Sequence, residues 1–439
     1  GAGGAITTGV QNTFVGRNVG TGANDANYCV GIGDTVLNAN FGNSNYGFGY
    51  NVLTSITGTG NIGIGNNVNT ASNSRNYTIG IGINALRYNN AHYTVAIGFQ
   101  AGENNTGGGE NTFLGTSTGF KNEVGTQNTY VGYQAGAYAS ASYNTFVGRN
   151  AGLGGTSSAP YSSGEYNVAV GTRALAGFTT GDRNIAIGYE AGDSITTGNN
   201  NISIGHLAND ETTTGSSNIA IGADALGNNV AGSLLTAVGI NALQYSGLRG
   251  GAAASIHAVG IGYVAGRYQT GSYNTFVGNF AGQGSQTSAP YGSGDALTAV
   301  GAYALSNTVS GDYNTAIGYA AASNMRSGSQ NVAIGDRAIA GGHGTFANVA
   351  IGNTTMYSAT TSERNVAIGH QALYTTTTGG GNIAIGYETM RFSTGAEIVS
   401  VGMNSMEQSG QASLTVSIGS NTGRYVTGSY NTFVGAYAG

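Results

Sequence analysis

Five histidines, one cysteine and a thin scatter of acids are the side chains best equipped for catalysis or metal binding in this sequence. His92, His206, His257, His343 and His370 lack the close pairwise spacing that zinc ligands show, so no metal and no other cofactor is expected. Hydrolysis of a glycosidic bond needs two facing carboxylates. Asp182, Glu190, Asp193, Asp210 and Glu211 do not recur at one register, and nothing singles out such a pair. Cys29 stands where most copies of a repeated phrase carry Asn, and it reads as a buried or turn thiol rather than a nucleophile. With no catalytic residue to assign, the chain is expected not to be an enzyme.

Aromatic side chains are different because they recur. Tyr133, Tyr189, Tyr263, Tyr319 and Tyr387 each follow the same kind of glycine directly. Ring faces of this type stack on sugars, which makes these five candidate glycan contacts. Phe14, Phe113, Tyr130, Phe146, Phe276 and Phe433 share another fixed place, the middle of a five-residue phrase seen as NTFVG at 144–148 and NIAIG at 184–188.

That phrase is the element that must position everything else. It occurs twenty-five times between Gly16 and Gly435, at fourteen intervals of 17 residues, seven of 16 and three of 23. A short fixed period marks a solenoid in which each repeat is one coil. The second position is Val, Ile or Thr in every copy but one (Tyr46), and the fourth is Ile or Val in all but two (Phe48, Leu114). Residues two apart share one face of a β-strand, and that face is expected to point into the coil. Ile185, Ile187, Ile219, Ile221, Ile383 and Ile385 would then form the core ladder. The third position, small in nineteen copies, would point outward, and the six aromatics there would be contacts for another chain, since exposed apolar patches mark interfaces. Thr in the phrase would lie inward, which argues against the outward Thr array of an ice-binding face. Asn opens seventeen copies, and stacking would align these amides in a ladder. The closing glycine is present in all twenty-five, as a bend or close backbone approach requires. Downstream, YEAG (189–192), TRAL (172–175) and HQAL (370–373) followed by TTG turns complete a coil of strand, bend, short strand and polar turn.

Composition narrows the function. Charged residues are 8% of the 439, about a third of the usual share. Fourteen basic residues against nineteen acidic ones give −5, with a single lysine, Lys121. A nucleic-acid partner would call for a basic stripe, and none exists. No run of eighteen apolar residues is present, so no membrane insertion is expected. With 79 Gly but two Pro, collagen and Pro-rich linkers are excluded.

The uninterrupted period predicts one elongated domain over 1–439. Its 23-residue coils at 148–171, 239–262 and 278–301 would each carry a projecting loop. The stretch 142–175 recurs at 272–305, prolines Pro160 and Pro290 included, and GSYNTFVG returns at 271–278 and 428–435. Neither end reads as a capping element, so the coils are expected to continue into other chains or into further sequence.

The NxAIGxxA phrase resembles the head repeats of trimeric autotransporter adhesins. It is more closely similar to the NTAIGYxAL…TTG repeats of phage tail fibres and other surface fibres. That resemblance covers essentially the whole chain and implies a left-handed parallel β-roll. It further implies that Ala186, Ala220, Ala316, Ala333, Ala350, Ala367 and Ala384 lie near partner chains. The expectation is an all-β, parallel β-solenoid of about 25 coils: a structural subunit of an extracellular or virion-surface fibre. Its partners would be copies of itself, stacked end to end, or arranged as a trimeric adhesin or tail-fibre shaft that binds surface glycans.

Overall fold

The computed structural model describes all residues except 5, 6, 23, 24, 72, 73, 156–158, 247–256 and 285–291. Twenty-five short strands form the molecule, with no helix among the described residues. The chain divides into two compact units, Gly1–Ser217 and Asn218–Gly439. The first holds β1 (Thr13–Arg17) to β12 (Ile202–Ile204), the second β13 (Ile219–Ile221) to β25 (Thr432–Val434). Within each unit every strand pairs in parallel with the next one along the chain, phrase on phrase. Ile185 lies opposite Ile202, Ala186 opposite Ser203 and Ile187 opposite Ile204, and Val349, Ala350 and Ile351 lie opposite Val366, Ala367 and Ile368. Each unit is therefore a parallel β-solenoid whose coil is the repeat.

Coil-to-coil bonding does not stop at the strands. Leu175 N–H donates to Ala191 C=O (2.9 Å), Ser194 to Asp210 (3.0 Å) and Thr196 to Thr213 (3.0 Å), so the turns find backbone partners in the next coil as buried amides require. Register is also kept around the long coils. In the first, Gly155 N–H reaches Phe178 C=O (2.7 Å) and Ser162 is bridged to Ala139. In the third, Gly292 bridges Gln269 at the equivalent place. The projecting loops expected at 239–262 and 278–301 fall largely on 247–256 and 285–291, outside the described residues.

The closing glycine has two reasons to be glycine. Its φ lies between +124° and +144° in all twenty-five copies, a region open to residues without a Cβ. A Cβ on Gly188 would also collide with the carbonyl oxygen of Gly205 in the next coil.

The two faces of the strand are the reverse of the expectation. Ala186, Ala220, Ala316, Ala350, Ala367 and Ala384 are fully buried and Ala333 is 1% exposed, so the third position faces the interior. Among the aromatics there, Phe113, Tyr130, Phe146 and Phe276 are fully buried, while Phe14 and Phe433, on the first and last strands, are half-buried. They are core residues, not interface residues. Ile187, Ile221, Ile383 and Ile385 are instead 37–39% exposed, and Ile185 and Ile219 are half-buried. Those six form an outer ladder. The physical reason is the narrowness of the coil. Ala and Leu three and four residues after the glycine, such as Ala174 and Leu175, already fill most of the interior, leaving the strand room for one small side chain rather than two branched ones.

The exceptions prove the limit on volume. All six aromatics have glycine six residues downstream: Gly20, Gly119, Gly136, Gly152, Gly282 and Gly439. A Cβ on any of them would fall within 3 Å of the ring it accompanies. Where the third residue is small, the same downstream place is commonly large, as in Ala169 with Leu175, Ala333 with Ile339 and Ala350 with Met356. Three of the rings meet coil on coil, Phe113 tilted against Tyr130 at 5.5 Å and Tyr130 stacked on Phe146 at 4.9 Å between centroids. Burial pushes the Tyr130 phenol far above its ordinary range, so this ring stays neutral.

The asparagine ladder forms as the repeat predicts. Asn167 N–H donates to Asn144 Oδ1 (2.8 Å), Asn184 to Asn167 (2.8 Å) and Asn201 to Asn184 (2.9 Å). In the second unit it runs from Asn314 through Asn331, Asn348 and Asn365 to Asn382 at 2.9–3.1 Å. Each amide Nδ2 also reaches a turn carbonyl one coil on, as Asn348 does to Ser362 (2.9 Å). Cys29 takes one such place. It is buried, its thiol is pushed up by burial, and its Sγ accepts from Asn45 N–H (3.5 Å).

Two mutations test these packing rules. Gly136→Leu should cost about 1–3 kcal/mol by overpacking and Tyr130→Ala about 3–5 kcal/mol by cavity formation. The double variant should cost far less than their sum, because Leu occupies this position at similar φ in Leu86 and Leu175 (51° and 52°); denaturant unfolding of all three checks the coupling. Asn348→Ala strands the buried Asn365 N–H, while Ser362 C=O keeps its bond from Phe346 N–H, and should cost about 1–3 kcal/mol in the same assay.

Candidate association surface

The outward second and fourth positions build a regular surface. In the second unit Ile219, Thr236, Val259, Thr275, Thr298 and Thr315 follow one another in one column. Ile221, Val238, Ile261, Val277, Val300 and Ile317 form the column beside it. No copy of the phrase places a charged residue in either column. The fourth-position side chains are solvent-facing, with Val170 37%, Ile261 41% and Ile418 42% exposed. Thr is part of this face, contrary to its expected inward place: Thr112, Thr129 and Thr145 are exposed and paired in register. The rows of Thr are short and give way to Val and Ile. β-branched residues suit an extended strand on either face; what selects the outer one here is the narrow interior.

The five tyrosines after the glycine lie on the surface at 46–50% exposure. Several give a ring face to a neighbour on the adjacent coil. Tyr189 stacks on His206 at 5.5 Å and Tyr387 on His370 at 5.1 Å, while Tyr263 meets Phe280 edge-on. Tyr319 has the Arg337 guanidinium 5.6 Å from its ring centroid. Tyr133 is likewise exposed.

Of the acids singled out in the sequence, Glu190 and Asp193 are brought together by Arg173, at 3.4 and 2.7 Å. Burial raises the Asp193 carboxyl in spite of the guanidinium. Asp193 and Arg173, but not Glu190, line an open groove of about 520 Å³ together with Asn150, Thr196 and Thr213. Asp182 is tied elsewhere, accepting from Glu165 N–H (2.8 Å). Among the described residues no three His, Cys, Asp or Glu side chains converge as a metal site would need. His92 Nδ1 accepts from Asn76 N–H (3.0 Å).

Arg75 had no sequence signal. It is fully buried, its Nη2 donates to the carbonyls of Asn69 (3.0 Å) and Ala71 (2.6 Å), and burial lowers its pKa to about 10. The compensation is partial, since a buried charge needs all its donors met and Nε and Nη1 have no hydrogen-bond partner.

The class of protein defined here is a parallel β-solenoid repeat protein with an uncharged, β-branched outer sheet face. The chain matches no family profile, and no curated protein is significantly similar to it.

Proposed function

We propose that this chain is a non-enzymatic structural subunit of an extracellular or virion-surface fibre, whose copies pack side by side through the outer Val/Ile/Thr face. The observation that carries this reading is the uncharged two-column Val/Ile/Thr ladder, several of whose fourth-position residues are 36–42% exposed in each unit, as at Val147, Ile187, Ile221, Ile351 and Ile418. Contiguous apolar surface of that extent is a mark of interfaces. Its spacing is that of neighbouring strands, about 4.8 Å, and the surface that matches such a period rung for rung is a second copy of this chain. The resemblance to adhesin heads and tail fibres points the same way, with one change. Partner chains would meet the Val/Ile ladder, because the alanines assigned to that role are inside the coil.

The exposed Tyr133, Tyr189, Tyr263, Tyr319 and Tyr387 support a second reading, in which the same fibre binds host surface glycans. Their replacement by Ala should then abolish retention on a glycan surface without altering assembly.

Sedimentation tests the first reading. The parent chain should sediment as a small discrete assembly, and Ile187→Lys with Ile221→Lys should dissociate it while leaving the circular dichroism unchanged. A monomeric parent, or an assembly indifferent to both lysines, overturns side-by-side packing. Filaments that lengthen with concentration would move the contact to the coil ends.

A further inference from the structure

The solenoid stacks tyrosine on tyrosine at its surface. Tyr143 and Tyr166 lie with ring centroids 4.7 Å apart and planes 1° from parallel. Tyr77 and Tyr93 are at 5.6 Å and 13°, and Tyr357 and Tyr374 at 5.3 Å and 7°. The members of the first two pairs are 44–58% exposed, so small oxidants reach them.

Their closeness is built into the backbone. Tyr143 and Tyr166 each immediately precede a ladder asparagine and hold left-handed φ values of 64° and 59°. The Asn167 N–H bond to Asn144 Oδ1 (2.8 Å) clamps the adjoining residues coil to coil. The Arg183 guanidinium lies 5.8 Å from the Tyr166 ring centroid. Tyr77 and Tyr93 hold φ of 57° and 53° but precede Thr78 and Thr94, and their coils are joined by the backbone, Tyr93 N–H donating to Asn76 C=O (3.2 Å) and Ile79 N–H to Thr94 C=O (2.9 Å).

We propose that these pairs are sites of oxidative phenol coupling, at which a peroxide and a haem peroxidase join neighbouring coils by dityrosine bonds. Each phenol gives up one electron and one proton, leaving two tyrosyl radicals in contact. One carbon–carbon bond forms between positions ortho to the two oxygens. The two displaced ring hydrogens then move to those oxygens as the rings regain aromaticity. The two electrons and two protons released reduce one hydrogen peroxide to two waters. Coupling competes with radical escape, and a partner ring already in van der Waals contact raises its local concentration far above that of any phenol on another molecule. The result is a covalent staple between coils, placed where the hydrogen-bonded ladder already holds them. It is a hardening step for a surface protein and does not depend on how its copies associate.

Trypsin separates the members of every pair, since Arg87, Arg149 and Arg364 lie between them. The dilute full-length protein is treated with hydrogen peroxide and a haem peroxidase, digested, and searched for dityrosine fluorescence and linked peptides. Peptide 122–149 should be joined to 150–173, and 76–87 to 88–121. Tyr166→Phe should remove the first link and spare the second, with the untreated variant's circular dichroism unchanged. Tyr387, stacked on His370 rather than on a phenol, should stay unlinked. Coupling that follows exposure alone, through Tyr430 and Tyr437 at 80% and 78%, or a 122–149 to 150–173 link that survives Tyr166→Phe, overturns the proposal.

Discussion

Successive coils bond to each other around their circumference, in turns as well as strands, and the rest of the structure depends on that contact. Backbone donors and acceptors that face the coil axis must find partners one coil away. This forces a constant coil path and explains why strands as short as three residues persist. It brings closing glycines into backbone contact and leaves an interior only a few side chains wide. The asparagine ladder is a side-chain version of the same rule, with each buried amide satisfied by the coil before it and the coil after it.

Narrowness then decides which residue goes where. Interiors are close-packed, so the third position and the residue six further on share one volume. A ring with a glycine, or an alanine with a leucine, fills it equally well. Val and Ile pairs would overfill the space and are turned outward, where the cost of exposing them is removed if another surface covers them. Core packing and the branched outer face are thus two consequences of one coil cross-section.

The period, the parallel register, the glycine bend and the Asn ladder were legible because each repeats with fixed residue identity. The direction of the strand faces was not. Alternation says that Ile185 and Ile187 share a face and Ala186 lies on the other, but it carries no sign. The usual rule that branched apolar residues go inside chose wrongly. The paired spacing of Phe146 with Gly152 and Tyr130 with Gly136 did hold the answer, since a glycine matched to every ring is intelligible only if both face one interior. The left-handed residues at Leu175, Glu190 and Arg183 (φ 52°, 52° and 56°) left no trace in composition, because inter-coil hydrogen bonds impose that conformation on residues that do not favour it. Arg75 was silent for another reason: its acceptors are the nearby backbone carbonyls of Asn69 and Ala71, which carry no residue signature.

The inside-out assignment is the central claim, and thiol labelling reads it directly. In a Cys29→Ser background, Ala186→Cys and Ile187→Cys would be exposed to a small maleimide under dilution that keeps chains single. Cysteine at 187 should react at nearly the rate of an unfolded control, and cysteine at 186 should be protected by orders of magnitude until the chain unfolds. Fast labelling at 186 with protection at 187 would contradict the account and return the Val/Ile ladder to the core.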